Sequence, residues 1–142
     1  MPAEGVLPQL FLSEPAGRFA LGHVFSGNKA FVEPARVNEG IGHWRCDITD
    51  DNRLTWSEEV YDLFGIPAGT PVKRDDAVAH YSEQSKGVLD RVRAFAINRK
   101  CGFILDAMIS ADGGSNRWIR LIAFPILNAG RVVGLQGLKR AL

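Results

Sequence analysis

The sequence predicts an α+β domain in which an antiparallel sheet carries helices on one face. Three observations support this. Residues 41–66 read as strand, polar turn, short strand and a helix opening on a capping signal. Residues 102–138 read as three consecutive strands joined by tight turns. Between them, Val88, Val92, Phe95 and Ala96 recur at spacings of three and four, one apolar stripe along a helix spanning Tyr81 to Arg99.

Each element has a local cause. Met1 to Arg18 carries three prolines and two glycines, which argues against a long helix, and Leu21 to Val32 suits a strand or a short amphipathic element. Ile41 to Ile48 is rich in aromatic and β-branched residues and runs into Asp50-Asp51-Asn52, side chains that favour a turn. Arg53 to Trp56 is a second short strand. Ser57 is placed to cap a helix whose first turn holds Glu58 and Glu59, whose apolar face is Val60, Leu63 and Phe64, and which Gly65 ends. Phe103 to Ser110, Arg117 to Leu127 and Arg131 to Leu138 are the later strands, separated by Ala111-Asp112-Gly113-Gly114-Ser115 and Asn128-Ala129-Gly130.

In this order the pieces resemble a PAS domain of the type found in bacterial sensor kinases and cyclic-dinucleotide enzymes. The resemblance rests on Gly42-His43-Trp44-Arg45-Cys46-Asp47, on Thr55-Trp56-Ser57-Glu58-Glu59-Val60-Tyr61-Asp62-Leu63-Phe64-Gly65, and on Asp112-Gly113-Gly114 with Arg117-Trp118-Ile119. Pro125 and Gly130-Arg131-Val132-Val133-Gly134 complete it, giving an extension over residues 1–38 and a domain over residues 39–142. It implies a five-stranded antiparallel sheet in the order 2-1-5-4-3, with ligands, where present, between sheet and helices. Two departures stand out. The chain ends Gly137-Leu138-Lys139-Arg140-Ala141-Leu142 where many such domains have Asp-Ile-Thr, and His80-Tyr81-Ser82-Glu83 replaces the usual His-Pro-Asp-Asp.

The fold resemblance and apolarity together nominate pocket residues. They are Leu63 and Phe64 from the first helix, Val88, Val92 and Phe95 from the long helix, and Met108, Ile122 and Phe124 from the sheet. A filled core without ligand is the alternative. The strand at 117–127 is apolar on both faces, with Trp118, Ile122, Phe124 and Ile126 on one and Ile119, Leu121, Ala123 and Leu127 on the other. The second set therefore needs a cover, and Ile119, Leu121 and Ala123 are the interface candidates, met by residues 1–38 or a second subunit.

Bulk properties fit one small domain. The 142 residues suffice for a hydrophobic core, and a net charge of +1 gives no global case for nucleic acid or an anionic membrane. Asp47 to Asp62 holds six acids against one arginine, and Ala111 to Leu142 five bases against one acid. These read as solvated faces or as complementary docking patches. No stretch has the apolarity of a membrane span, and Cys46 and Cys101 are too few for a disulfide framework, so a cytoplasmic protein is expected.

No cofactor is expected. His80 lies where some haem-binding members of the family place their iron ligand, but a lone histidine there is ordinarily a cap or surface residue. His23 and His43 lack metal-ligand spacing, so no metal is expected either. Cys101 echoes the flavin-binding subclass only superficially, because it stands at the exit of the long helix. Caps and turns account for the carboxylates around Asp50 and Glu58, Ser57 has no recognisable base, and no phosphate loop occurs, so no enzyme is expected. The expected function is a non-catalytic sensory and interaction module of bacterial signal transduction, acting on a partner such as a two-component histidine kinase. The alternative is a small-molecule input domain of a larger signalling protein. Both imply a homodimer without nucleic acid or membrane insertion.

Overall fold

The structure, a computed structural model, describes residues 6–12, 21–26, 40–111 and 114–142. The chain order is β1 (Val6–Leu12), β2 (Leu21–Ser26), β3 (Ile41–Asp47), β4 (Arg53–Trp56), α1 (Glu58–Phe64), α2 (Arg74–Val78), α3 (Glu83–Arg99), β5 (Cys101–Ser110), β6 (Asn116–Asn128) and β7 (Arg131–Ala141). The strands form one antiparallel sheet in the order β1-β2-β5-β6-β7-β3-β4. Its last five members are the expected 2-1-5-4-3 sheet, counted from β3.

The described part of the N-terminal segment extends that sheet at its β5 edge. β2 pairs with β5 from Leu21↔Asp106 to Ser26↔Cys101, and β1 pairs with β2. The rest of residues 1–38, and with it the expected cover for a sheet face, lies outside the described residues. Among those described, no helix is long and apolar enough to cross a membrane.

Local chemistry sets the element boundaries. Asp47 accepts a hydrogen bond from the Thr49 amide, and a 3-10 turn carries the chain to Asp51 and Asn52, both at φ 56°. Aspartate and asparagine tolerate that left-handed region better than most residues. Gly65, at φ 69°, ends α1 by donating to the Asp62 carbonyl. Ser57 departs from expectation, because its hydroxyl does not cap α1. It accepts from the His43 amide at 2.9 Å, while the Ser57 amide donates to the His43 carbonyl, so the residue ties the start of α1 to β3.

The helices cover one face of the sheet, α1 over β3 and α3 over β5. Close approach of α1 needs Gly42, since a Cβ there would run into the Val60 side chain. The start of α3 is capped by one hydrogen bond and pinned to β5 by two. Ser82 Oγ accepts from the Ser85 amide, the Ser82 amide donates to the Met108 carbonyl, and the buried Ser85 Oγ accepts from the Met108 amide at 2.8 Å. Between the layers Phe64, Val88, Val92, Phe103, Leu105 and Ile119 are almost wholly buried. Each such side chain contributes roughly 1.5–3 kcal/mol.

Candidate functional site

Strand alternation sends Leu135, Gly137 and Lys139 of β7 to the helical face, so a lysine points into the core. Lys139 is only 5% exposed. Its neighbours come from four elements or their ends: Trp44 on β3, Trp56 closing β4, Phe64 closing α1, and Tyr81 just before α3. Nζ stands 4.8 Å from the Phe64 ring centroid, 5.3 Å from Trp56, 5.5 Å from Trp44 and 5.9 Å from Tyr81. The rings also hold one another, Trp56 stacked on Phe64 at 4.7 Å and edge-on to Tyr61 at 5.1 Å. Ring faces attract an ammonium, each by about 0.5–2 kcal/mol, so the cage partly replaces lost hydration.

The compensation is incomplete. Among the described residues Nζ has no hydrogen-bond acceptor and no carboxylate partner. Burial pulls its pKa down from 10.5 to about 7, with Cys46 opposing the fall and Arg74 adding to it.

Beside the lysine lies a cavity of about 40 Å³ between the sheet and helices α2 and α3. At roughly 10–15 Å³ per water-sized sphere, it has space for about three small non-hydrogen groups. Its polar lining comprises Lys139, Arg74, Arg93, Tyr81 and Cys46, and its apolar lining includes Phe103, Leu121 and Leu135. Among the described residues no carboxylate lines it.

Arg74, the first residue of α2, bonds Asp90 at 2.9 Å through one nitrogen. Arg93 donates to Asn52 Oδ1 at 3.2 Å, and burial, then Arg74, holds its pKa below the usual value. Cys46 Sγ approaches the same Asn52 oxygen at 3.7 Å, and burial raises its thiol pKa. Three cationic side chains thus converge on one small, partly apolar space.

The nominated pocket residues lie elsewhere. Leu63, Phe64, Val88 and Val92 are buried among the packed side chains, and of these Phe64 faces Lys139. Phe95 is half-buried, with the Arg99 guanidinium 4.9 Å above its ring. None of these five lines the cavity.

The sheet candidates are reversed across β6. Ile119, Leu121 and Ala123, expected at an interface, are buried in the core beneath the helices, and Leu121 lines the cavity. Met108, Ile122 and Phe124, expected in the pocket, stand on the opposite face. There Met108 pairs with Trp118 and Ile104 with Ile122, around a bidentate Arg120–Asp106 contact at 2.7 and 2.9 Å. Alternation separates the two faces, but with both apolar it cannot say which one the helices cover.

The lysine, the two arginines and three rings of the cage were missed from the sequence, and Phe64 alone of the cage was nominated. One signal was present, because Lys139 shares strand parity with Leu135. His80 is tied to the end of β5, its Nδ1 2.8 Å from the Ser110 carbonyl and its ring edge-on to Phe64. Among the described residues no group of three histidine, cysteine or acidic side chains is placed to hold a metal.

Neither a family model nor a curated protein sequence matches the chain. Solved structures do. The N-terminal domain of a diguanylate cyclase with PAS/PAC sensor from Marinobacter aquaeolei superposes with a TM-score of 0.65 at 14% identity, covering 71% of this chain and 94% of that one. A sensory box histidine kinase/response regulator from Burkholderia thailandensis gives 0.62 at 10% identity, covering 72% and 77%. The light-state dimer of the fungal blue-light photoreceptor Vivid gives 0.60 at 15%, covering 79% and 83%.

Proposed function

We propose, taking the PAS fold established by these likenesses as premise, that the chain is a non-catalytic sensory module of a signalling protein. In this reading it takes a small molecule into the cavity beside Lys139 and passes the change to a partner such as a histidine kinase. The cavity carries the reading, because an unpaired lysine and two arginines line a small space between sheet and helices, an arrangement suited to binding. Its position suits signal transfer. It touches β3, β7, α2 and α3, so a ligand that favours one packing of the helices shifts the population of a whole layer.

The local use of the carboxylates supports a non-catalytic role. Asp47 bonds Thr49, Asp50 bonds Arg53, Asp51 bonds Lys73 and Asp76 bonds the Lys73 amide. A space of about 40 Å³ also suits neither a haem nor a flavin, both many times larger. Homodimerisation through the outer face of β5 and β6, where Met108 and Phe124 are half-buried, belongs to the same proposal.

Native mass spectrometry of freshly purified protein, with ligand screening by thermal shift, tests the sensory reading. A small-molecule adduct, or a ligand-dependent rise in Tm that Leu121→Trp abolishes by filling the cavity, is expected. Protein without an adduct whose Tm no small molecule raises would overturn it.

A further inference from the structure

We propose that the cavity beside Lys139 is a site for a small carboxylate, held by Lys139, Arg74 and Arg93 with its short apolar end against Leu121 and Leu135. The inference deepens the sensory reading and rests on it for its biological sense.

Charge selects the ligand. Among the described residues the polar lining is cationic at three points and anionic at none, so a cation is repelled and a neutral ligand leaves Lys139 without a counter-charge. An anion supplies the missing partner. It would also lie against the cationic ends of the lining side chains rather than in the cage, because the ring faces that attract Nζ repel negative charge. Arg74 already uses one nitrogen on Asp90 and Arg93 one on Asn52, which holds both guanidinium groups in place while leaving each further N–H donors. A planar carboxylate matches such donors better than a spherical anion does. Size sets the upper limit, because about 40 Å³ admits an acid of one or two carbons.

Binding is coupled to a proton. The groups facing Nζ are Cys46 from β3, Arg74 from α2, Tyr81 ahead of α3, and Arg93 from α3, and none of them is a carboxylate. A bound anion favours the ammonium form, so Lys139 takes up a proton as the ligand enters. Near neutral pH that uptake is a fraction of one proton per ligand, and it grows towards one at mildly alkaline pH.

The test is isothermal titration calorimetry and thermal shift on the full chain with formate and acetate, against formamide and acetamide as uncharged counterparts of the same shape. Titration in two buffers of different ionisation enthalpy reads the proton. The expected result is a rise in Tm with carboxylate but not with amide, with proton uptake. Lys139→Met should stay folded and lose at least about tenfold in affinity, the effect of one charge-assisted hydrogen bond. Arg131→Ala, an exposed residue distant in the fold, should bind as the parent does.

The failures separate. Amides that bind where carboxylates do not would overturn the anion assignment and leave the sensory reading standing. Carboxylate binding that Lys139→Met leaves unchanged, or that takes up no proton, would also overturn it. Absence of binding by either series, with no adduct in native mass spectrometry, would remove both.

Discussion

Replacing Lys139 with methionine isolates the energetic cost of the buried amine. In the unfolded chain the side chain titrates near 10.5, and in the fold near 7. Below pH 7 both states hold the proton, so folding bears the full cost of burying a charge. Between the two values the unfolded state keeps a proton that the folded state has released, and stability therefore rises with pH. The difference corresponds to about 4 kcal/mol of destabilisation at pH 7, and to a gain of about 2 kcal/mol in parent stability from pH 6.5 to 8.5. Methionine fills a similar volume without a charge, so Lys139→Met should be the more stable protein at pH 6.5, with an advantage shrinking by about 2 kcal/mol at pH 8.5. Urea melts of both proteins at four pH values in that window, without added carboxylate, read the difference directly. The top of the window touches the range of Cys46 and Cys101, whose thiols burial raises and which act with the opposite sign, but both proteins carry them and the difference between the curves largely removes their effect. Parallel stability curves for the two proteins would refute the reasoning.

Other perturbations are read by the same melts. Gly137→Ala places a Cβ against the Ile122 carbonyl across the β6–β7 ladder, and should cost about 3 kcal/mol or more, seen as a lower urea midpoint. Ser85→Ala leaves the Met108 amide without its acceptor beneath α3, and should cost about 1–3 kcal/mol and speed exchange of that amide with solvent. Arg120→Met, by contrast, removes a half-exposed ion pair with Asp106 and should change stability by less than about 1 kcal/mol. Phe124→Lys, at a half-buried position on the outer face, should lower the sedimentation coefficient of a homodimer to that of a monomer; a parent that sediments as a monomer at high micromolar concentration would remove the dimer proposal.

Much of the architecture is legible along the chain because local chemistry determines it. The Asp50-Asp51-Asn52 turn, Gly65 at the end of α1, the stripe of Val88 and Val92 and the two late turns each follow from nearest-neighbour preferences. Short connections between consecutive strands then restrict how the sheet is assembled. Ser57 shows the limit of this reading, since its helix-capping signal is genuine but its hydroxyl serves the His43 amide, fourteen residues away. Leu21–Ser26 is another case: its apolarity is local, whereas its place beside β5 depends on a pairing across about eighty residues.

The sequence by itself determined the strand and helix order, the five-stranded unit and the helix that crosses it, because these depend on turns, caps and periodicity within a few residues. Only the tertiary structure decided which face of β6 lies under the helices, since both of its faces are apolar and the helices cover one. It alone decided the site as well. Trp44, Trp56 and Tyr81 are ordinary aromatics in the sequence, Phe64 is nominated there without its partners, and Lys139 is one base in a basic tail. They form a cage only when β7 docks between β3 and β6, and that contact is long-range in the chain and set by packing rather than by any local pattern.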